Sequence, residues 1–556
     1  MVDVPRAATT PSPHPLLPVA LQDEYRRRGD WEDRTLAEIV RDWADRDADR
    51  LAVTGPRPLT YGELWQAARR VAGTLAERVA PGDFVLAILS NSWQGVALGV
   101  AGSIAGVGLA PFSTRISPTL ALNIAEQVGA QGVVLQADLL ERDDWKDALA
   151  DLRKRAEDGP VLVTGGSFEE AAERGPEIDQ RAWDPGRASL VLSTGGTTGR
   201  PKSVLLYENA LVWAAREMAA ACEFTERDVH VAFGPYGHAS GSLFEIYMPM
   251  LLGASVLPIA RWRPLPVAEA IAEYGGTYCI TVGTHMFDLL ELPDGVEPLL
   301  ASMRLILSGA GPDHLYEGVE QRYGIPIVRC YGLSECMGHA VSPVHDPPEQ
   351  RLRFDGVVFP GVEYRIVEPQ SGERVPVGTP GEYLCRAPSF FMGYMGQPEL
   401  TEARITADGL YKTGDLLAEH PGGYLRWEGR IKEIVRRGGL MIDAIEVSDL
   451  LSEHADLAEV IVVGTPDPRL GERAVAVVVP RRGKRPQLDE LCDFLLARGL
   501  SKEVLPEALL FADSIPRTEF GEFNRGEVRA WAAAQLPELT GTTTALPATE
   551  PFRRRS

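Results

Sequence analysis

The chain has 556 residues, 45% of them hydrophobic and 24% charged, an ordinary globular balance with length for three or four structural units. Its formal net charge of −22 excludes nucleic acid as a natural partner, because a phosphate backbone is bound by clustered Lys and Arg. The six cysteines (Cys222, Cys279, Cys330, Cys336, Cys385 and Cys492) lack zinc-site or disulfide-framework spacing and read as reduced thiols, and the start MVDVPRAATTPSPHP has no secretory signal, so a cytoplasmic protein is expected.

In chain order, residues 1–15 are rich in Pro, Thr and Ala and are expected to be a flexible tail. Apolar strand-like runs then alternate with amphipathic helical ones: Phe84 to Ser90 before a helix from Trp93, then Gly132 to Leu135, Ser189 to Ser193, His230 to Phe233, Ser255 to Pro258, Tyr278 to Val282 and Arg304 to Ser308. That alternation predicts an α/β fold with parallel sheets. The uncharged run Gly95 to Phe112 holds Pro111 and many small residues, so it reads as a buried helix and strand and not as a membrane span. From about Arg353 short strands divided by turns predict a small barrel or antiparallel layer, and after Arg430 a fresh helix, strand, helix unit begins, with strands at Glu459 to Val463 and Ala474 to Val479. The expected organisation is a large domain over 16–430, barrel-like from about 353, a small mobile α+β domain over 431–536, and a flexible tail over 537–556.

Directly after the strand ending at Leu192 comes Ser193-Thr194-Gly195-Gly196-Thr197-Thr198-Gly199-Arg200-Pro201-Lys202. Closely spaced glycines expose backbone N–H groups, the hydroxyls add donors and Lys202 a cation, so this loop can enclose phosphate oxygens. It is not a Walker loop, because Lys202 follows Arg-Pro and no Gly-Lys-Ser/Thr step is present. The alternative reading, and the less favoured one, is a flexible surface loop.

The loop resembles the phosphate-binding signature of the adenylate-forming superfamily of acyl-CoA and aryl-CoA synthetases, and further motifs follow in that family's order. Tyr331-Gly332-Leu333-Ser334-Glu335 is similar to its adenine and magnesium motif, Tyr411-Lys-Thr-Gly-Asp415 to its ribose motif, Gly429-Arg430-Ile431-Lys432-Glu433 to its hinge, and Pro516-Arg-Thr-Glu-Phe-Gly-Glu522 to its last motif. The resemblance implies ATP and Mg²⁺ as cofactors. Tyr331 would stack on adenine, Ser334 donate to a phosphate oxygen, and Glu335 hold the metal. Asp415 would accept two ribose hydroxyls, and Arg430 and Lys432 would lie beside the nucleotide. Ser308-Gly309-Ala310-Gly311-Pro312 resembles the segment against the base, where glycines admit a flat ligand. His238 sits where relatives place a residue beside the acid substrate, Glu433 at the hinge, and Arg436-Arg-Gly-Gly439 where the thiol tunnel would run.

Several positions depart from the pattern. Glu522 stands where relatives deliver a lysine to the carboxylate and the bridging oxygens of ATP. Losing such a donor costs ~3 kcal/mol, and an anion at about 4 Å adds an unfavourable term of about 4 kcal/mol at an effective dielectric near 20. Gly283, Ala444, Glu208 and Ser203 also replace family residues (Pro, Pro, His and Gly).

Three functions follow. The first is a ligase converting a small, aromatic or cyclic, acid to its AMP anhydride and then to a thioester of CoA or a carrier-protein thiol, with Arg517, Arg525 or Lys432 serving for the missing lysine. The second is a diazotase that activates nitrite and passes it to an arylamine, with Glu522 holding the amine. The third is a nucleotide-binding protein without turnover. The sequence leaves oligomeric state open.

Overall fold

The computed structural model describes residues 14–155, 159–194, 202–309, 311, 313–431, 433–437, 440–467, 471–498, 500, 502–517 and 523–536. It is a mixed α/β structure that divides into two compact units. The first comprises Met1–Ala310, Leu315–Tyr364 and Leu384–Lys412, and the second comprises Gly311–His314, Arg365–Tyr383 and Thr413–Ser556.

The first unit contains two large sheets. A six-stranded sheet takes the order Val161–Val163, Gly132–Leu135, Phe84–Ile88, Gly108–Phe112, Ala188–Thr194, Lys202–Tyr207, parallel except for the closing antiparallel pair. Its strands are short apolar runs because helices cover both faces, as parallel sheets require. All five residues of Phe84–Ile88 are buried. The helix Trp93–Ala105 starts at Ser92, whose hydroxyl accepts from the Gly95 N–H, and stops at Gly106 in the left-handed region. It is buried nearly all round, which is why its sequence looks like a membrane span; no helix among the described residues is long and apolar enough to cross one.

The second sheet has nine strands. Val229–Ala232, Ser255–Pro258, Tyr278–Thr281, Leu305–Ser308 and Ile327–Leu333 form its parallel centre, and the antiparallel hairpin of Ile327–Leu333 with Met337–Val341 lies toward one edge. The ion pair of Arg329 and Asp355, both almost wholly buried, with Nη2 to Oδ1 at 2.7 Å, ties the middle of that hairpin's first strand to the following loop. His14, expected in the mobile tail, is instead buried, its Nε2 against the Phe390 carbonyl at 3.0 Å.

The second unit carries most of a four-stranded sheet in the order Glu363–Val367, Gly381–Arg386, Tyr411–His420, Tyr424–Arg430, so the texture change after Arg353 corresponds to a layer. Beyond Arg430 a hairpin, Ile434–Arg437 with Leu440–Asp443, precedes the expected helix. Leu457–Asp467 pairs with Gly471–Pro480, and alternate residues feed two cores: Val460 and Val462 face one side, Ile461 and Val463 the other.

Candidate functional site

In the first unit Ser334, Glu335 and Cys336 form the tight turn of the Ile327–Leu333/Met337–Val341 hairpin. Gly332 lies opposite Gly338, and a Cβ there would fall 2.5 Å from the Met337 carbonyl oxygen, so only glycine lets the strands approach this closely. Met337 completes the turn at φ 55°, an uncommon conformation for a side-chain-bearing residue. Tyr331, two residues before Leu333, is buried with its ring edge-on to His339.

Glu335 is 8% exposed. Its Oε1 accepts hydrogen bonds from two phenols, Tyr394 and Tyr411 (2.8 Å for Tyr411), and those hydroxyls are 2.7 Å from each other. Burial first, then the nearby Glu335 charge, pushes both phenols well above the usual tyrosine value, so they remain protonated donors. Tyr394 arrives by an antiparallel bridge: Val204 pairs with it, Leu205 N–H donates to the Gly393 carbonyl and Met395 N–H to the Ser203 carbonyl. Lys202, which begins that strand opposite Thr194, holds its Nζ 5.1 Å from the Tyr394 ring centroid. One tyrosine thus joins the lysine at the foot of the glycine-rich loop to the carboxylate of the hairpin turn.

His238 caps the short helix Ala239–Ser242. Its Nδ1 accepts from the Ser240 N–H at 3.2 Å and lies 2.6 Å from the Ser240 hydroxyl, which places the ring proton on Nε2 as a donor. The loop is tight: a Cβ on Gly241 would fall 1.9 Å from the Pro235 carbonyl oxygen. Gly309 closes the strand Leu305–Ser308 and carries open space where a Cβ would stand, which leaves room for a flat ligand.

In the second unit Asp415 is 5% exposed and paired across Tyr411–His420 and Tyr424–Arg430 with Arg430, whose Nε is 3.0 Å from Oδ1. The Arg430 side chain is 60% exposed and that of Asp415 only 7%, so a solvated guanidinium lies beside a buried carboxylate. Gly311 belongs to this unit as well. Glu433, expected at the hinge, meets Arg525 at 3.5 Å, and Arg517 bonds Glu459 at 2.8 Å. Both arginines considered as replacements for the missing lysine are therefore already engaged with carboxylates.

Gly195, Gly196, Thr197, Thr198, Gly199, Ala310, Pro312, Lys432 and Glu522 lie outside the described residues, as do the side chains of Ser193 and Thr194. The role of Tyr394 was missed in the sequence, where it stands in an uncharged run with no local signal. Among the described residues no cluster of three or more His, Cys, Asp or Glu could hold a metal. The donor set nevertheless fits Mg²⁺, a hard cation held by one or two carboxylates with phosphates and water completing its shell.

Comparison with known proteins identifies the family. The model of the AMP-binding enzyme family matches residues 40–395, and that of the AMP-binding enzyme C-terminal domain matches residues 446–522. Triostin synthetase I of Streptomyces triostinicus is 32% identical over 540 residues, covering 93% of this chain and 98% of its own. Salicylyl-CoA synthase / salicylate adenylyltransferase of a Streptomyces species is 29% identical over 92% of this chain and 96% of its own. A crystal structure of ATP-bound MatB from Rhodopseudomonas palustris superposes with a TM-score of 0.80 at 25% identity, over 89% of this chain and 99% of that one. The chain belongs to the AMP-binding enzyme family.

Proposed function

We propose that the protein activates a small aromatic or cyclic carboxylic acid with ATP, forming its AMP anhydride with release of pyrophosphate, and then transfers the acyl group to a thiol such as CoA. The observation that supports this most is the Lys202, Tyr394, Glu335 and Tyr411 constellation. It holds a cation and a fixed carboxylate around one phenol, and attack on a phosphorus depends on such fixed charges to position and neutralise phosphate oxygens. A salicylate-activating relative supports the aromatic class.

In this reading the loop 193–199 and Lys202 hold the phosphates, while Ser334 donates to a phosphate oxygen. Glu335, its Oε1 fixed by two phenols, would hold Mg²⁺, which would supply charge neutralisation for the phosphate oxygens. Tyr331 packs against adenine beside Gly309, and Asp415 and Arg430 take the ribose. The His238 Nε2–H donates to an acid oxygen. Residues 16–430 act as the nucleotide-binding domain and 431–536 as a small domain turning about Glu433.

The test is ATP-dependent pyrophosphate release with a panel of aryl and alicyclic acids with CoA, with nitrite plus arylamines, and with neither. Turnover dependent on a carboxylate, raised further by Glu522→Lys, is expected. Turnover dependent on nitrite and an amine, and lost in Glu522→Lys, would replace this reading with nitrite activation.

A further inference from the structure

Asn91 and Glu245, 6% and 0% exposed, have no part in the chemistry above. Asn91 follows the strand Phe84–Ile88 of the six-stranded sheet, and Glu245 lies in the π-helical turn Leu243–Tyr247, a form that recurs at functional sites. They meet directly, Asn91 Nδ2 donating to Glu245 Oε2 at 2.5 Å. The same nitrogen donates to two carbonyls of the nine-stranded sheet's side, that of Ala232, which ends Val229–Ala232, at 3.0 Å and that of Gly234 at 2.8 Å. One amide thus joins the end of a strand in one sheet to the end of a strand in the other, where the chain departs for the loop 234–241 that carries His238.

Glu245 comes up against that loop. A Cβ on Gly234 would fall 2.9 Å from Glu245 Oε1 and 3.7 Å from the Ser240 hydroxyl, so the carboxyl, the first glycine of the loop and the partner of the His238 ring crowd one small volume. Ser240 in turn holds His238 Nδ1, through its N–H at 3.2 Å and its hydroxyl at 2.6 Å. Further along, the Tyr236 hydroxyl donates to the Ser92 carbonyl at 3.0 Å, and the Ser242 hydroxyl to the Tyr236 carbonyl at 2.6 Å. Burial pushes the Glu245 carboxyl far above the usual carboxylate range, outweighing the Gly234 N–H and the Asn91 amide, so it stands as a neutral acid.

A buried amide and carboxyl contribute little net stability over apolar side chains of the same shape. What they add is direction, because a hydrogen bond fixes an angle as well as a distance. Here that direction converges on the chain between Ala232 and Ser240. We propose that Asn91 and Glu245 are positioning residues, which together hold the loop 234–241 so that the His238 ring keeps its Nε2–H available to the acid substrate. The inference rests on the reading of His238 as the group that meets the acid.

Two measurements separate this role from plain structural support. Imidazole nitrogen NMR shifts of His238, assigned by their loss in His238→Ala, report its tautomer in the substrate-free protein. Wild type and Glu245→Gln, which keeps an acceptor for the Asn91 amide, are expected to show the single tautomer protonated at Nε2, whereas Glu245→Leu averages the two. In pyrophosphate release with benzoate and salicylate, Glu245→Leu is expected to raise the half-saturating acid concentration at least tenfold and to leave that of ATP within about twofold. Glu245→Gln should recover the wild-type value, and Glu245→Leu should add less than about twofold to His238→Ala, since both act through one ring. A fixed tautomer in Glu245→Leu overturns the proposal, as does a loss of ATP saturation equal to that of acid, or an effect that adds in full to His238→Ala. Should Glu245→Leu not fold, Asn91→Ser, which removes the shared amide, is read by the same criteria. Wild-type protein that turns over no carboxylate would refute the functional reading, and the tautomer comparison then decides this one alone.

Discussion

Tyr394→Phe removes one hydroxyl and leaves the ring under Lys202. Hydrogen bonds to a charged group contribute about 1.5–3 kcal/mol each, and Tyr411 still donates to the same Glu335 oxygen at 2.8 Å, so the lower end applies. About 1.5 kcal/mol corresponds to roughly tenfold, expected as a tenfold rise in the Mg²⁺-ATP concentration that half-saturates pyrophosphate release. Tyr394→Leu also removes the face beneath Lys202, whose Nζ is 5.1 Å from the centroid. A cation–π contact contributes about 0.5–1 kcal/mol at such sites, a further two- to fivefold. Steady-state assays at saturating acid, with ATP and Mg²⁺ varied together, read both steps. Wild-type values for Tyr394→Phe would show that the phenol does not orient Glu335, and equal defects in the two variants would remove the ring contact from the argument.

Asp443, mostly buried at the start of the helix Ala444–Ser452, is pushed up to about 6 by burial, above its ordinary 3.8. A carboxyl raised on folding destabilises the fold once it ionises, so the cost is absent below about pH 4, grows between pH 4 and 6, and is complete above. Asp443→Asn, which can still cap the helix, should therefore melt higher than wild type at pH 8 and match it at pH 4. Asp355→Asn removes a buried counter-charge from the Arg329 guanidinium and should cost ~3–5 kcal/mol, read as a lowered melting temperature. Gly332→Ala forces a Cβ to within 2.5 Å of the Met337 carbonyl oxygen. That overpacking costs ~1–3 kcal/mol, and weaker ATP saturation should accompany it because the displaced turn carries Ser334 and Glu335.

What the sequence displays well is local. Gly132–Leu135 and Ser255–Pro258 stand where their apolar runs place them, and the helix expected from Trp93 begins there. The hairpin Ile434–Arg437/Leu440–Asp443 was not foreseen, since its strands are only 4 residues each and one takes its position from distant Gly471. The site follows the same division. Glycine-rich segments and the Tyr331–Glu335 turn are legible because a close backbone approach demands particular residues. Tyr394 is not, because its partner Glu335 lies 59 positions away and nothing beside it in the chain announces that contact.

The strand Lys202–Tyr207 is the last of its sheet, and the segment around Gly393 occupies the backbone groups it would otherwise turn outward. An unpaired edge of this kind is a template on which another molecule can add a strand. A lesion that loosens residues 392–395 should therefore appear first as self-association, by light scattering, while circular dichroism is still unchanged.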